Sequence, residues 1–431
     1  MEHLNRTTPP VQRPFDELSL TAPQLHRLDN GIPVYTLYNE QLELIHLIVQ
    51  LRTGVLYETQ KHTANFAYSL LKESSQQHSP DELAALLDFH GAHVSVSVQF
   101  DKTTITISLP SRNVTAILPI IYDFLVHPQY RQDSLEIYKN LKIKDLEYNS
   151  QKTDVRSTQL LLHAVFGDEY TAGQFSTRDN LQAVTIEQMI DFHRRTFCAE
   201  NLSLFITGHI NETIGSCIRS LFEQVPHGVA SNNIHDLVLP VDPRPLISEE
   251  MANSVQSSIT ICQVKEGYGA ADRHGFSILS TILGGYFGSR LMQSLRERHG
   301  FTYGISAGSV YFGNQSLFII NSDVNAAVTQ AALDACFEEL QRLQDEPIGY
   351  EELDSAQNYI IGDMLRDVEN SVSYLKKYAF WSFQGLDETE FQRYSNSVKN
   401  IDADTILHLA KKHLKHNKFK QIIVGDTHSL K

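Results

Sequence analysis

The chain has 431 residues, 42% hydrophobic and 20% charged, a composition expected of an ordered globular protein with more than one hydrophobic core. A formal charge of −15 argues against nucleic acid or an anionic membrane as the main partner. No apolar run approaches the roughly 18 residues needed to cross a bilayer, and Met1–Pro10 has the layout of neither a signal nor a transit peptide, so the expected location is cytoplasmic with no membrane partner.

The first recognisable element is a tight turn at Leu28-Asp29-Asn30-Gly31, where Asn-Gly supplies positive φ, followed by a strand over Ile32–Leu37. A helix follows over Thr63–Lys72. Ser79-Pro80-Asp81-Glu82 is a capping box with proline at the first helical position, opening a helix through Leu83, Leu86 and Leu87. Gly91 marks its end, with His90 suited to the helix C-terminus. Val94–Val98 and Thr103–Leu109 alternate as an antiparallel pair. A further helix through Leu135, Tyr138, Leu141 and Leu146 carries Asp145.

Val184–Gly208 aligns without a gap with Ile401–Gly425, each an amphipathic helix, a polar turn and a short apolar strand ended by glycine. Phe192 meets Leu409 in that register, Phe197 meets Leu414, and Gly208 meets Gly425. The repeat implies duplication. Between the copies, Pro226, Pro240, Pro243 and Pro245 interrupt a polar stretch containing Asn232 and Asn233. The expectation is therefore an α+β chain of two homologous domains, each a mostly antiparallel sheet with helices packed on it. The N-terminal domain takes residues 1–225, a linker 226–245, and the C-terminal domain 246–431.

In the second half, Gly288–Tyr303 reads as a glycine-rich turn, a short helix and a tyrosine at the mouth of a strand. Gly313-Asn314 then turns between strands over Tyr303–Phe312 and Leu317–Ser322. Arg296 lies on the last turn of the short helix and Tyr303 just beyond it. A guanidinium fork fixes a peptide carbonyl, and a phenol donates to a developing oxyanion. The same residues also suit a purely structural role, since arginine complements a helix C-terminus and tyrosine is a good strand former. Cys198, Cys217, Cys262 and Cys336 are too far apart for a zinc knuckle and are expected to be reduced and buried.

Taken in order, the Leu28–Gly31 turn, the Thr63–Lys72 helix, the Ser79 cap and the Gly288–Tyr303 segment resemble the pitrilysin/insulinase family of zinc metallopeptidases, which includes the mitochondrial processing peptidase. The resemblance runs from about Gln24 to Asp426 and implies one half of a clamshell. The family carries His-x-x-Glu-His on the helix corresponding to Thr63–Lys72, because histidines at i and i+4 share a face to bind zinc while the glutamate activates the metal-bound water. Those places hold Asn65, Tyr68 and Ser69, and the counterpart of the family's distant glutamate is Asp145. Carboxamide and hydroxyl groups are poor zinc ligands, so this chain is expected to bind no metal, with zinc carried by a partner subunit. His90 with His93, and His408 with His413 and His416, read as structural rather than as a replacement site; Lys411, Lys412 and Lys415 would repel a cation from the latter group.

The resemblance further implies that Arg296 and Tyr303 bind the substrate backbone and stabilise the tetrahedral intermediate. Arg290 and Arg298 do not match the family position and read as positioning or surface charges. The expected role is thus a non-zinc subunit of a heteromeric metalloendopeptidase, catalytically incomplete alone. A homologous zinc-bearing subunit would be its partner, and peptides or unfolded polypeptides the substrate. Two alternatives stay open: a non-catalytic scaffold subunit, as in relatives within respiratory complexes, and a peptide-binding homodimer. The short glycine-rich loop weakens a presequence-binding role.

Overall fold

A computed structural model describes residues 18–231, 237–428 and 430. The Met1–Pro10 segment and linker residues Asn232 and Asn233 lie outside the described residues. The first half builds a six-stranded sheet from β1 (Gln24–Arg27), β2 (Pro33–Tyr38), β3 (Leu44–Leu51), β4 (His93–Val98), β5 (Thr103–Pro110) and β6 (Leu202–Gly208). Their order is β1-β2-β6-β3-β5-β4, antiparallel throughout except for the β2–β6 pair. β3 is buried along nearly its whole length because both faces are covered, whereas β5 alternates between buried and half-buried. The helices of this half are α1 (Thr63–Ser69), α2 (Pro80–Phe89), α3 (Val114–Val126), α4 (Gln132–Asn149), α5 (Thr153–Phe166), α6 (Arg178–Gln182), α7 (Ile186–Thr196) and α8 (Glu212–Phe222). The expected capping box at Ser79 opens α2. The helix expected over Thr63–Lys72 is shorter, and a 3-10 turn at Leu71–Glu73 follows it.

The second half repeats this plan. Its sheet comprises β7 (Leu246–Glu250), β8 (Gln256–Glu266), β9 (Thr302–Phe312), β10 (Gln315–Asn325) and β11 (Lys420–Gly425) in the order β7-β11-β8-β10-β9, with only β7–β11 parallel. Its helices are α9 (Arg273–Ser280), α10 (Thr329–Asp345), α11 (Tyr350–Arg366), α12 (Ser371–Phe383), α13 (Thr389–Asn400) and α14 (Ala403–His413). Both halves are α+β, as the sequence implies.

The repeat extends to backbone detail. Thr185 caps α7 and Asp402 caps α14, each side chain accepting the third-residue amide. Matching 3-10 turns follow at Ala199–Asn201 and His416–Lys418. Gly208 has φ 134° and Gly425 has φ 138°, a conformation reserved for glycine. A second correspondence escaped the sequence reading: α2 ends at His90-Gly91 before β4, as the Met292–Arg298 helix ends at His299-Gly300 before β9. That register sets Leu87 opposite Arg296 and Val94 opposite Tyr303.

The two halves exchange a helix. Leu160, Leu161, Val165 and Phe166 of α5 pack against Cys262, Leu317, Ile422 and Val424 of the second sheet. In return, α12 covers the first sheet, where Tyr35 stacks on Phe205 with ring centroids 4.8 Å apart and lies 5.5 Å from Tyr378. Polar contacts reinforce both seams: Arg156 grips Glu249 through two bonds of 2.6 and 2.7 Å, and Asn39 donates to Ser371 Oγ at 3.0 Å. Cys198, Cys262 and Cys336 are buried thiols; Cys217, expected to be buried, is half-exposed because it lies at the edge of the α8 packing face.

Candidate functional site

Helix α1 is anchored from below. Glu58 Oε1 accepts the His62 amide at 3.1 Å and Oε2 the Ala64 amide at 2.9 Å, so the carboxylate caps the first turn. Burial pushes its pKa up to about 7 in spite of those bonds. His62 adopts a left-handed φ of 76° to make the turn, and its Nε2 lies 3.1 Å from Asn180 Oδ1. Lys61 Nζ donates to the Thr171 carbonyl at 2.7 Å.

The three motif positions are not equivalent. Tyr68 is fully buried, edge-on to Phe192, with its hydroxyl 2.8 Å from Thr196 Oγ1. It is part of the core and faces no ligand. Asn65 and Ser69 are half-buried and share a helical face. Phe66 packs edge-on against Tyr138 at 4.9 Å, which brings α1 against α4, the helix of Asp145. Asp145 itself is half-exposed and pairs with Lys142 at 3.5 Å. Among the described residues, no hydrogen bond or ion pair joins Asp145 to Asn65 or Ser69. A carboxamide, a hydroxyl and a lysine-paired carboxylate do not fit catalytic zinc. Nor do the described residues contain a group of three or more His, Cys, Asp or Glu side chains arranged to hold a metal ion.

The two groups of histidines, expected to be structural, are placed as follows. The His90 carbonyl accepts from Asn113 at the end of α2, and His93 is exposed on β4. His413 lies between Asp272, 2.5 Å from its Nε2, and Lys265, 2.6 Å from its Nδ1; His416 packs on Phe337.

Arg296 and Tyr303 sit on unusual backbone. The helix around Arg296 is π-helical over Met292–Arg298, and a second π-helical turn spans Thr281–Gly285. The wider coils match the local sequence: Gly284 lies so close to β9 that a Cβ there would meet Ala307 Cβ at 2.7 Å and its backbone nitrogen at 2.9 Å. Arg290 Nε and Nη2 reach the Glu352 carboxylate at 2.7 and 3.1 Å and tie the segment to α11. Arg298 pairs more loosely with Glu339, at 3.7 Å.

Tyr303 lies on a β-bulge, where β9 places two residues opposite Asp323 of β10. Thr302 Oγ1 clamps the bulge by donating to the Asp323 carbonyl at 2.7 Å and accepting the Gly304 amide at 3.1 Å. The result is a tyrosine ring 91% exposed. Arg296 stacks over Phe287 at 4.9 Å and approaches Glu297 at 3.4 Å. Among the described residues, no hydrogen bond, ion pair or ring contact joins Arg296 to Tyr303. The bulge leaves the phenol open to solvent, and the exposed guanidinium lies between Phe287 and Glu297.

Phe287 and Glu58 were missed at the level of sequence. Phe287, 59% exposed between Gly285 and Gly288, had one signal, an aromatic in a glycine turn. Glu58 had none, because its bonds are to backbone amides.

Two family models match the chain: insulinase (peptidase family M16) over residues 34–175, and the peptidase M16 inactive domain over residues 183–360. An uncharacterized zinc protease of Mycobacterium bovis is 18% identical over 96% of each chain, and one of Rickettsia felis is 20% identical over 90% of this chain and 94% of its own. Among solved structures, a peptidase M16 inactive domain from Pseudomonas fluorescens superposes with a TM-score of 0.83 at 20% identity, covering 95% of this chain and 99% of that one. A putative M16-like peptidase from Alicyclobacillus acidocaldarius gives 0.76 at 17% identity over 96% and 99%. No helix among the described residues is long and apolar enough to cross a membrane. With both family models matched in sequence order and the fold shared nearly end to end, the chain belongs to the M16 insulinase family of peptidases.

Proposed function

We infer that this chain is the zinc-free subunit of a two-chain metallopeptidase, closing against a homologous zinc-bearing partner to enclose a peptide. The observation that carries the reading is the contrast between its two sites. Tyr68 is absorbed into the core beside α1, whereas Tyr303 is held out on a clamped bulge, its hydroxyl without a hydrogen-bond partner among the described residues. Arg296 fixes a backbone carbonyl of the peptide, and the Tyr303 hydroxyl donates a proton in a hydrogen bond to the oxygen on which negative charge develops. Phe287, stacked beneath the guanidinium, holds it flat and limits its rotamers. The metal and the attacking water belong to the partner. The substrate is a peptide or an unfolded polypeptide.

The test is co-expression with a zinc-bearing M16 homologue and an assay of peptide cleavage. Arg296→Ala and Tyr303→Phe are each expected to lower kcat/KM of the complex by about 100-fold, without altering assembly. Cleavage unchanged in both variants would refute the assigned roles.

A further inference from the structure

A cavity of about 350 Å³ opens beneath the last turn of α12, on the face of the first sheet that α12 covers. Arg27 on β1 is paired with Pro33 on β2, and Gln50 on β3 with Ser203 on β6. The β2–β6 register pairs Val34 with Leu204 and so sets Pro33 beside Ser203. These four residues form one row across the sheet, and all of them line the cavity. Arg52, two residues beyond Gln50 on the same face, lines it too. Ser382 and Phe383 of α12 close the other side, so both halves of the chain contribute.

Gln50 is the anomaly in this row. It is only 5% exposed, and its carboxamide has no hydrogen-bond partner among the described residues. A buried amide left unpaired is costly. Its oxygen and nitrogen are nevertheless not sealed in the core, because the cavity opens over them. The neighbouring charges are also unspent. Arg27 Nη1 donates to the Gly31 carbonyl at 3.2 Å, and the Arg52 guanidinium rests 5.0 Å from the centroid of the Phe383 ring; neither forms an ion pair among the described residues. Glu200 is the one carboxylate on the wall, and both its oxygens are engaged: Oε1 lies 2.9 Å from His227 Nδ1, and Oε2 accepts the Gly228 amide at 2.8 Å. Asn30 and Asn201 donate to backbone carbonyls of their own surroundings. What stays open is two guanidiniums and the Gln50 amide, a site rich in donors and positive in charge.

The spacing decides what fits. Strands lie about 4.8 Å apart, so the row separates the backbones of Arg27 and Gln50 by about 14 Å. With Arg27 held to its own turn and Arg52 held to Phe383, the guanidiniums stand at opposite ends of the cavity. One carboxylate or phosphate group reaches one of them; a molecule with two anionic groups reaches both. We propose that this cavity binds a small dianion, with one anionic group on Arg27, the other on Arg52, and the segment between them hydrogen-bonded by Gln50. The anionic groups are carboxylates or phosphates, since an arginine fork matches either. Because Phe383 belongs to the second half and the row to the first, the ligand bridges the seam between them.

The experiment is isothermal titration calorimetry of the full chain, at constant ionic strength, with glutarate, pyrophosphate and butyrate. The first two carry two anionic groups of the two chemistries, and butyrate carries one. At least one dianion is expected to give a saturable heat at millimolar concentration, with butyrate at least about tenfold weaker. The dianion that binds more tightly identifies the anionic group as carboxylate or phosphate. Gln50→Leu, which keeps the row apolar and buried but removes the amide, and Arg52→Gln, a change at an exposed position, should each weaken that dianion by about tenfold. Circular dichroism checks that both variants fold, and Arg52→Gln decides if Gln50→Leu does not. No saturable heat with either dianion, butyrate binding as tightly, or affinity unchanged in a folded variant would each overturn the proposal. None of these readouts uses peptidase activity, so the result stands apart from the two-chain reading.

Discussion

Glu58 is a carboxylate used as a helix cap in a largely buried place, and that conflict has a measurable consequence. Desolvation raises its pKa from 4.5 to about 7, against the opposing pull of two amide bonds and Lys61. A carboxyl whose folded pKa is raised favours the folded state in its protonated form. Its contribution is fully present below about 4.5 and is lost as pH rises through about 7. The total is about 3 kcal/mol. Two buried histidines and the half-buried His62 act in the opposite sense. Burial lowers His46, His62 and His193 to about 4, so each makes the fold less stable as pH falls below its ordinary value. The overall profile therefore mixes slopes, and the informative quantity is a difference. Urea denaturation of the parent minus that of Glu58→Gln, taken from pH 4.5 to 7.5, is expected to decline by about 3 kcal/mol across the window. A flat difference curve would show that Glu58 titrates normally in the folded chain.

At the scale of elements, the two π-helical turns and the bulge decide where Arg296 and Tyr303 end up, and the tightest contact among them is that of Gly284 with β9. Two effects compete in Gly284→Ala. Replacing glycine in a helical segment gains up to about 1 kcal/mol in propensity. Overpacking against a neighbour costs about 1–3 kcal/mol, and the clash here includes the Ala307 backbone nitrogen at 2.9 Å, which no rotamer change relieves. Overpacking wins. Gly284→Ala is expected to lose about 1–2 kcal/mol in urea denaturation, and Ala307→Gly on that background to recover only part of it. A Gly284→Ala variant as stable as the parent would contradict the close approach.

These elements also mark the limit of what the sequence discloses. The repeat of α7 with α14 was legible because its helix and turn have equal lengths in both halves and its strands end at equivalent glycines, so apolar positions stay in register. The correspondence of α2 with the Met292–Arg298 helix was not, since one is α-helical and the other π-helical. In that register Leu87 meets Arg296 and Phe89 meets Arg298, so the apolar positions do not repeat. That a carboxamide at Asn65 and a hydroxyl at Ser69 are poor zinc ligands could be read directly from residue chemistry. That Tyr68 had become core could not, because its partners Phe192 and Thr196 are remote in sequence.

For the whole molecule, the exchange of α5 and α12 matters more than the repeat. Duplication suggests two units that fold alone, yet each sheet is completed by a helix belonging to the other half. Periodicity reveals that α5 has an apolar face, not which sheet that face covers. Removing the second half would expose Leu160, Leu161, Val165 and Phe166 together, at roughly 1.5–3 kcal/mol for each side chain. It would also open the ring cluster of Phe100, Phe166 and Phe312, whose centroids lie 5.2 to 5.7 Å apart across the seam. The first sheet would lose the cover of Tyr378 over Phe205 and Tyr35. These losses are comparable to the 5–15 kcal/mol that stabilises a typical domain. Residues 1–225 and 246–431, expressed separately, are therefore expected to lack a cooperative urea transition and to bind ANS as partly packed states do. Mixed at equal concentration, they are expected to form a complex with a single transition, because α5 and α12 then regain their sheets. If residues 1–225 alone unfolded in one sharp transition with an m-value proportionate to their size, the exchanged helices would be dispensable, and the two halves would be tethered neighbours rather than one cooperative body.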